Sequence, residues 1–148
     1  MTHIFDDSLV KWYNKINQNK PIQGNTMTTI NHTNLIELAF TSGDCDDLAM
    51  ALHEKYGFPV YVFGNEHGAW AHMMVQHPQT GKYIDVHGAQ EAWEIYDYWE
   101  CTNDEGDLDI IPLIDGVHVP TDREHPTIPV EDGIALTITR LKEQGINI

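Results

Sequence analysis

Apolar residues recur along this chain with two different periods, and the switches between them divide it into elements. Phe5, Leu9, Trp12 and Ile16 follow one another at spacings of four, three and four, with Asp6, Asp7 and Ser8 as acidic or capping residues at the start. This spacing predicts an amphipathic helix over residues 5–18. Residues 19–34 hold Pro21, Gly24 and many Asn and Thr, which predicts a loop with room for a short strand, and Leu35 to Phe40 is a short apolar segment. Cys45, Leu48, Ala49, Leu52 and Tyr56 then return to helical spacing and Gly57 supplies a stop, so a helix is expected over residues 45–56.

The period changes after Gly57. Residues 58–63 are rich in β-branched and aromatic side chains, 65–68 have loop character, and 69–77 alternate again before Pro78-Gln-Thr-Gly81. Residues 82–86 complete a run of three strands with a tight turn between the last two. Ala92, Trp93, Tyr96 and Trp99 predict a further helix over 90–99, and the aromatic cluster Trp93, Tyr96, Tyr98 and Trp99 is expected in the core. Residues 103–109 read as an acidic loop. Ile110 to Ile114 reads as an edge strand, because Pro112 has no N–H for a ladder. Residues 116–129 carry three further prolines, and Ile134, Ile138 and Leu141 align in a last helix over 132–144. The expected fold is α+β, with N-terminal helices and a central helix starting at the cysteine, packed on a small antiparallel β-sheet.

Composition narrows what such a fold does. A chain of 148 residues with 41% hydrophobic content is of a size for one domain around one core, and no linker, repeat or low-complexity tract divides residues 1–148. The formal charge of −15, with only eight Lys and Arg, repels phosphate backbones and anionic membranes. Direct nucleic-acid binding and membrane association are therefore not expected; a protein or peptide substrate, or a basic protein partner, is. The first residues lack a basic stretch followed by an apolar run, and no window is long enough to cross a bilayer, which makes a cytoplasmic location the expectation. Cys45 and Cys101 stand in unrelated contexts, too few for a disulfide scaffold, so both thiols are expected to be reduced.

The candidate chemistry lies where the helical and alternating patterns meet. A cysteine nucleophile needs its thiolate stabilised, and a helix N-terminus contributes through its dipole and free N–H groups. Cys45 stands at such a terminus and opens the apolar stripe of its helix, which aims it at the sheet. The base should be a histidine whose tautomer is fixed by a third group. If His77 pairs with Lys82 across the turn, His72 faces His87 and Met74 faces Asp85, and all four project from one face of the hairpin. His72 and Asp85 are then diagonal neighbours roughly 7 Å apart, within reach of a carboxylate-imidazole hydrogen bond. A shift of one residue would separate them.

The segments Gly43-Asp-Cys-Asp-Asp-Leu-Ala-Met-Ala-Leu52, Trp70-Ala-His-Met-Met-Val75 and Tyr83-Ile-Asp-Val-His-Gly88 together resemble the Cys, His, Asp order of the papain-like superfamily, and its transglutaminase-like branch in particular. The resemblance covers about residues 41–88. It implies Cys45 as nucleophile, His72 as general base and acid, and Asp85 as the orienting carboxylate. It departs from the family pattern in having Met73 after His72, where an aromatic residue is common, and in having only Gln18 and Gln23 as distant upstream glutamines. Trp70 and Asp44, flanking His72 and Cys45, are the candidate substrate-binding residues. The backbone N–H of Cys45 is one candidate oxyanion donor, and Asn31, Asn34, Thr41 and Ser42 leave the second undecided.

Each residue also has a plainer reading: Cys45 as a small buried hydrophobe, His72 as a satisfied sheet histidine, Asp85 as a strand-end carboxylate. Their joint order and shared hairpin face favour the catalytic one. Asp44, Asp46 and Asp47 oppose a thiolate at Cys45, so an imidazolium at His72 has to outweigh them. Although the chain has nine histidines, His67, His72, His77 and His87 fit no helix-borne ligand pair, and residues 104–109 lack the positions of a calcium loop. No metal and no cofactor is expected. The leading expectation is a cysteine hydrolase or acyltransferase acting on an amide, isopeptide or thioester bond. The rival is a non-enzymatic acidic binding protein, for instance an inhibitor masking a basic groove on a partner, and a third reading is a degenerate papain-like fold kept as an interaction module.

Overall fold

The helix that opens at Cys45 is the element around which the others are arranged. In the computed structural model, residues 32–41, 44–99, 102–103, 106–119 and 128–148 are described. The helix expected over 5–18 lies outside them, as does Cys101. The described chain is α+β: four helices and a small antiparallel sheet. Helix α1 is His32–Thr41 and α2 is Cys45–Tyr56; strands β1 (Val60–Gly64), β2 (Trp70–Gln76), β3 (Tyr83–Asp85) and β4 (Gly88–Gln90) follow; then come α3 (Ala92–Tyr98), the short β5 (Thr102–Asn103) and β6 (Gly106–Asp107), β7 (Asp109–Pro112) and α4 (Val130–Glu143). Among the described residues, no helix is long and apolar enough to cross a membrane.

The bounds of α2 follow from its ends. Asp44 takes the N-cap position, Asp46 and Asp47 lie in the first turn and His53 and Lys55 in the last, so the charges oppose the macrodipole at both termini. Gly57 ends the helix at a φ of 75°, with its N–H on the His53 carbonyl. His53 donates from Nδ1 to the Phe58 carbonyl at 2.7 Å, tying the helix end to the chain that enters β1. The apolar segment from Leu35 to Phe40 is also helical, and the helix reaches back to His32, so the expected loop ends sooner than its Asn and Thr content suggested. Leu35, Ile36, Ala39 and Phe40 fall three and four apart and are buried on one face.

The five-stranded sheet has the order β4-β3-β2-β1-β7. Strand β7 occupies an edge, where Pro112 is tolerated. The opposite edge, β4, is a strand that the alternation did not reveal. Gln144 covers it by accepting from Ala89 N–H at 2.8 Å and donating to the Ala89 carbonyl at 2.9 Å, so this edge is closed to further pairing. Gly88 permits this approach. Its φ is +96°, and a Cβ there would lie 2.6 Å from the Gln144 amide oxygen.

Two apolar clusters sit on opposite faces of the sheet. Leu35, Phe40, Leu48, Leu52 and Leu141 from the helices pack with Val62, Met73, Val75 and Ile84. Phe63 and Met74, alternating with those strand residues, pack with Ile95 of α3. Two of the α3 aromatics expected in the core are not there: Trp93 is 67% exposed and Tyr98 58% exposed, because residues 93 and 98 turn away from the stripe set by Ile95 and Trp99.

Candidate active site

Residues 72 and 85 meet because of the β2–β3 register. Val75 pairs with Ile84 and Gln76 with Tyr83, and the ladder continues into the turn with His77 N–H on the Lys82 carbonyl at 2.8 Å. That is the register in which His77 faces Lys82. The four-residue turn is held by His77 itself, whose Nδ1 accepts from Thr80 N–H at 3.2 Å, and by Gly81 at a φ of 73°. The ladder pairs stop at Val75 and Ile84, so His72 and Asp85 lie just beyond the paired segment. There the His72 Nε2–H donates to Asp85 Oδ2 at 2.7 Å.

With Nε2–H committed to Asp85, Nδ1 is the ring position that gains or loses the second proton. Nδ1 is buried with no hydrogen bond of ordinary geometry to another group. Cys45 stands beside the ring, close enough for its sulfur to favour the protonated imidazole by side-chain hydrogen bonding and by charge. Cys45, His72 and Asp85 are 4%, 0% and 3% exposed, so the site is closed in this conformation.

The electrostatics of the pair follow from its burial. Desolvation pulls the His72 value down, but the hydrogen bonds to Asp85 and Cys45 and their negative charge outweigh it and raise the ring from 6.5 to about 9. Burial acts on Asp85 in the opposite sense, pushing it up; hydrogen bonds and positive charge from His72 and His87 overcome this and hold it well below the usual carboxylate range. At neutral pH the pair is therefore imidazolium and carboxylate.

Around Cys45, His72 and Asp85 the structure places side chains that spacing alone did not assign. Trp99 stacks on His72, ring centroids 4.3 Å apart and planes 17° from parallel. Its indole nitrogen is buried without a partner. Trp70, a candidate substrate-binding residue, donates from its indole to the Val119 carbonyl at 2.8 Å and packs on the helix-face cluster. Asp44 is buried at the start of α2, beside Cys45. His87 accompanies Asp85, as its place on the hairpin suggested: its backbone N–H donates to Asp85 Oδ1 at 2.8 Å and its Nδ1 lies 3.3 Å from the same oxygen. Tyr98 covers His87, with ring centroids 5.1 Å apart.

The signal for Trp99 was present in the sequence, since it follows the buried Ile95 by four residues. In contrast, Glu37 and Arg140, which stand behind His87, carry no motif. Comparison with protein-family models, with curated proteins and with solved structures gives no match to this chain.

Proposed function

We propose that the chain is a cysteine hydrolase or acyltransferase with a papain-like or transglutaminase-like arrangement, acting on an amide, isopeptide or thioester bond. The observation that carries this reading is the position of His72, whose ring has Asp85 on Nε2 at 2.7 Å and Cys45 beside it. That is the geometry of an oriented base serving a nucleophile.

In this reading Sγ of Cys45 attacks the substrate carbonyl carbon while His72 Nδ1 holds the thiol proton. The proton passes to the leaving amine or thiol as the scissile bond breaks, leaving a thioester to Cys45. Water or an amine then attacks the thioester, giving its proton to His72, and the cysteine leaves as thiolate. As the first residue of α2, Cys45 has a backbone N–H that the helix does not use, which suits an oxyanion donor. Whether water or an amine resolves the thioester depends on the cleft, so peptidase, deamidase and transamidase chemistry share this site.

The test is alkylation by iodoacetamide near neutral pH with peptide mapping of the adduct. Cys45 is expected to react faster than Cys101, and His72→Ala should abolish the difference. Equal, slow labelling of both thiols would refute the proposal. The closure of the site, together with the charge of −15, favours a second reading: an acidic interaction module that keeps the buried network for structure. For that reading, Cys45→Ala would leave binding of a basic protein partner intact, and neutralising surface Asp and Glu would abolish it.

A further inference from the structure

Asp85 presents one oxygen to His72, and its other oxygen is held as firmly. Oδ1 accepts from the His87 backbone at 2.8 Å and has the His87 ring nitrogen Nδ1 at 3.3 Å. The far side of that ring is occupied too, with Nε2 3.1 Å from Glu37 Oε1. Glu37 Oε2 accepts from Arg140 Nη2 at 2.7 Å, and Arg140 Nη1 donates to the Val86 carbonyl at 3.0 Å, which returns the chain of contacts to the segment it started from.

These groups converge on His87 from every side. Glu37 comes from α1, Arg140 from α4, Tyr98 from α3, Asp85 from β3 and the charge of His72 from β2. With its side chain only 15% exposed, His87 lies within charged contact of them, its two ring nitrogens making no hydrogen bond of ordinary geometry. We propose that His87 is a positioning residue of the triad: with Glu37 and Arg140 behind it, it locks the Asp85 carboxylate so that Oδ2 is presented to His72. This rests on the reading of Cys45, His72 and Asp85 given above.

Counting charges shows why the network needs Glu37. Two imidazoles share the single carboxylate of Asp85, and a protonated His87 without a second acid would compete with His72 for it. Glu37 supplies that second negative charge, and Arg140 fixes its orientation from outside. Burial and the charge of His72 disfavour the proton on His87, while Asp85 and Glu37 favour it and prevail, raising it above its ordinary value. Outer contacts of this kind orient the groups that do the chemistry, and their loss costs about 10- to 100-fold where measured at metal sites.

The experiment follows the rate of Cys45 alkylation by iodoacetamide from pH 6 to 10 in the full chain carrying Cys101→Ser, so that one thiol reports. His87→Ala is expected to slow the reaction at neutral pH by about tenfold or more. It should also move the step that follows loss of the His72 proton to lower pH, because Asp85 loses the ring contact and the charge of His87 and keeps only the backbone N–H of residue 87 on Oδ1. His87→Gln, which keeps a donor toward Oδ1, should restore both rate and step. Glu37→Gln, at a half-exposed position, should act in the same direction as His87→Ala and decides the matter if the latter does not fold. A lower melting temperature with the rate and the step unmoved would make His87 merely structural and overturn the proposal. If wild-type Cys45 is fast and dependent on His72 but indifferent to His87 and Glu37, only this proposal falls. If it is no faster than an ordinary thiol, the triad reading falls with it.

Discussion

Replacing Asp85 by Asn removes one charge from the buried pair and one of its two acceptors: the amide oxygen can still accept from His72, but the amide nitrogen then faces the His87 backbone N–H that Oδ1 accepts. The cost can be worked from the ring. His72 is fully buried, and desolvation, the largest influence on it, pulls it below 6.5; hydrogen bonding and charge, those of Asp85 foremost, raise it to about 9. At ~1.4 kcal/mol per pH unit, the rise above the ordinary value corresponds to stability on the order of 3 kcal/mol. Removing one member of a buried ion pair costs about 3–5 kcal/mol in general, the same order.

The sign fixes where that stability is found. A raised histidine contributes fully below about 6.5 and loses its contribution as pH climbs through about 9. The depressed Asp85 contributes above its ordinary 3.8 and loses its share as pH falls toward its native value. Both describe one interaction, so they are not added. Asp85→Asn should therefore destabilise the protein most near pH 5–6 and much less at pH 10, where the wild-type ring is itself neutral. Urea unfolding followed by tryptophan fluorescence at the two pH values measures this, Trp99 on His72 being a local reporter. An equal loss at both, or a larger one at pH 10, would show that the pair is not ionised in the native state.

Two further substitutions probe the frame and the surface. In Gly133→Ala, on α4, the new Cβ would lie 2.6 Å from the Phe40 ring, which is buried and cannot swing away. The usual helical gain of about 1 kcal/mol from replacing glycine is then outweighed by overpacking of about 1–3 kcal/mol, and thermal unfolding should show a lower midpoint; a higher one would mean that α1 and α4 separate at little cost. Trp93→Ser, at a position 67% exposed, should change stability by less than about 0.5 kcal/mol and leave Cys45 alkylation unaltered. A large loss would show that this indole is covered in solution.

Elements whose signal is local were legible in the sequence. Helix α2 was bounded by an acidic start and a glycine stop and spans residues 45–56 as its spacing predicts. The β2–β3 register could be read because the turn between His77 and Lys82 is short, and a short turn leaves the flanking strands few ways to pair. Strand β4 was not legible. Its three residues make no alternating pattern, and the strand depends on an edge cover, Gln144, from the other end of the chain.

The same division runs through the site. His72 and Asp85 are thirteen residues apart on one hairpin, so its register alone is enough to bring them within bonding distance. Glu37 and Arg140 reach this site from helices, and Trp99 from the end of one. Spacing tells which face of a helix is apolar, but not how far the helix is rotated or shifted along the sheet. A polar side chain on the rim of such a face, like Glu37, is equally consistent with solvent or with a partner, and the choice is made by what packs opposite. Here the opposing element is α4, whose Arg140 lies 103 residues from Glu37. Contacts across that distance are set by the closed core and not by local propensity. The meeting of His72 with Asp85 can thus be read from one short stretch of chain, while the groups that surround the pair come together only once the whole domain has folded.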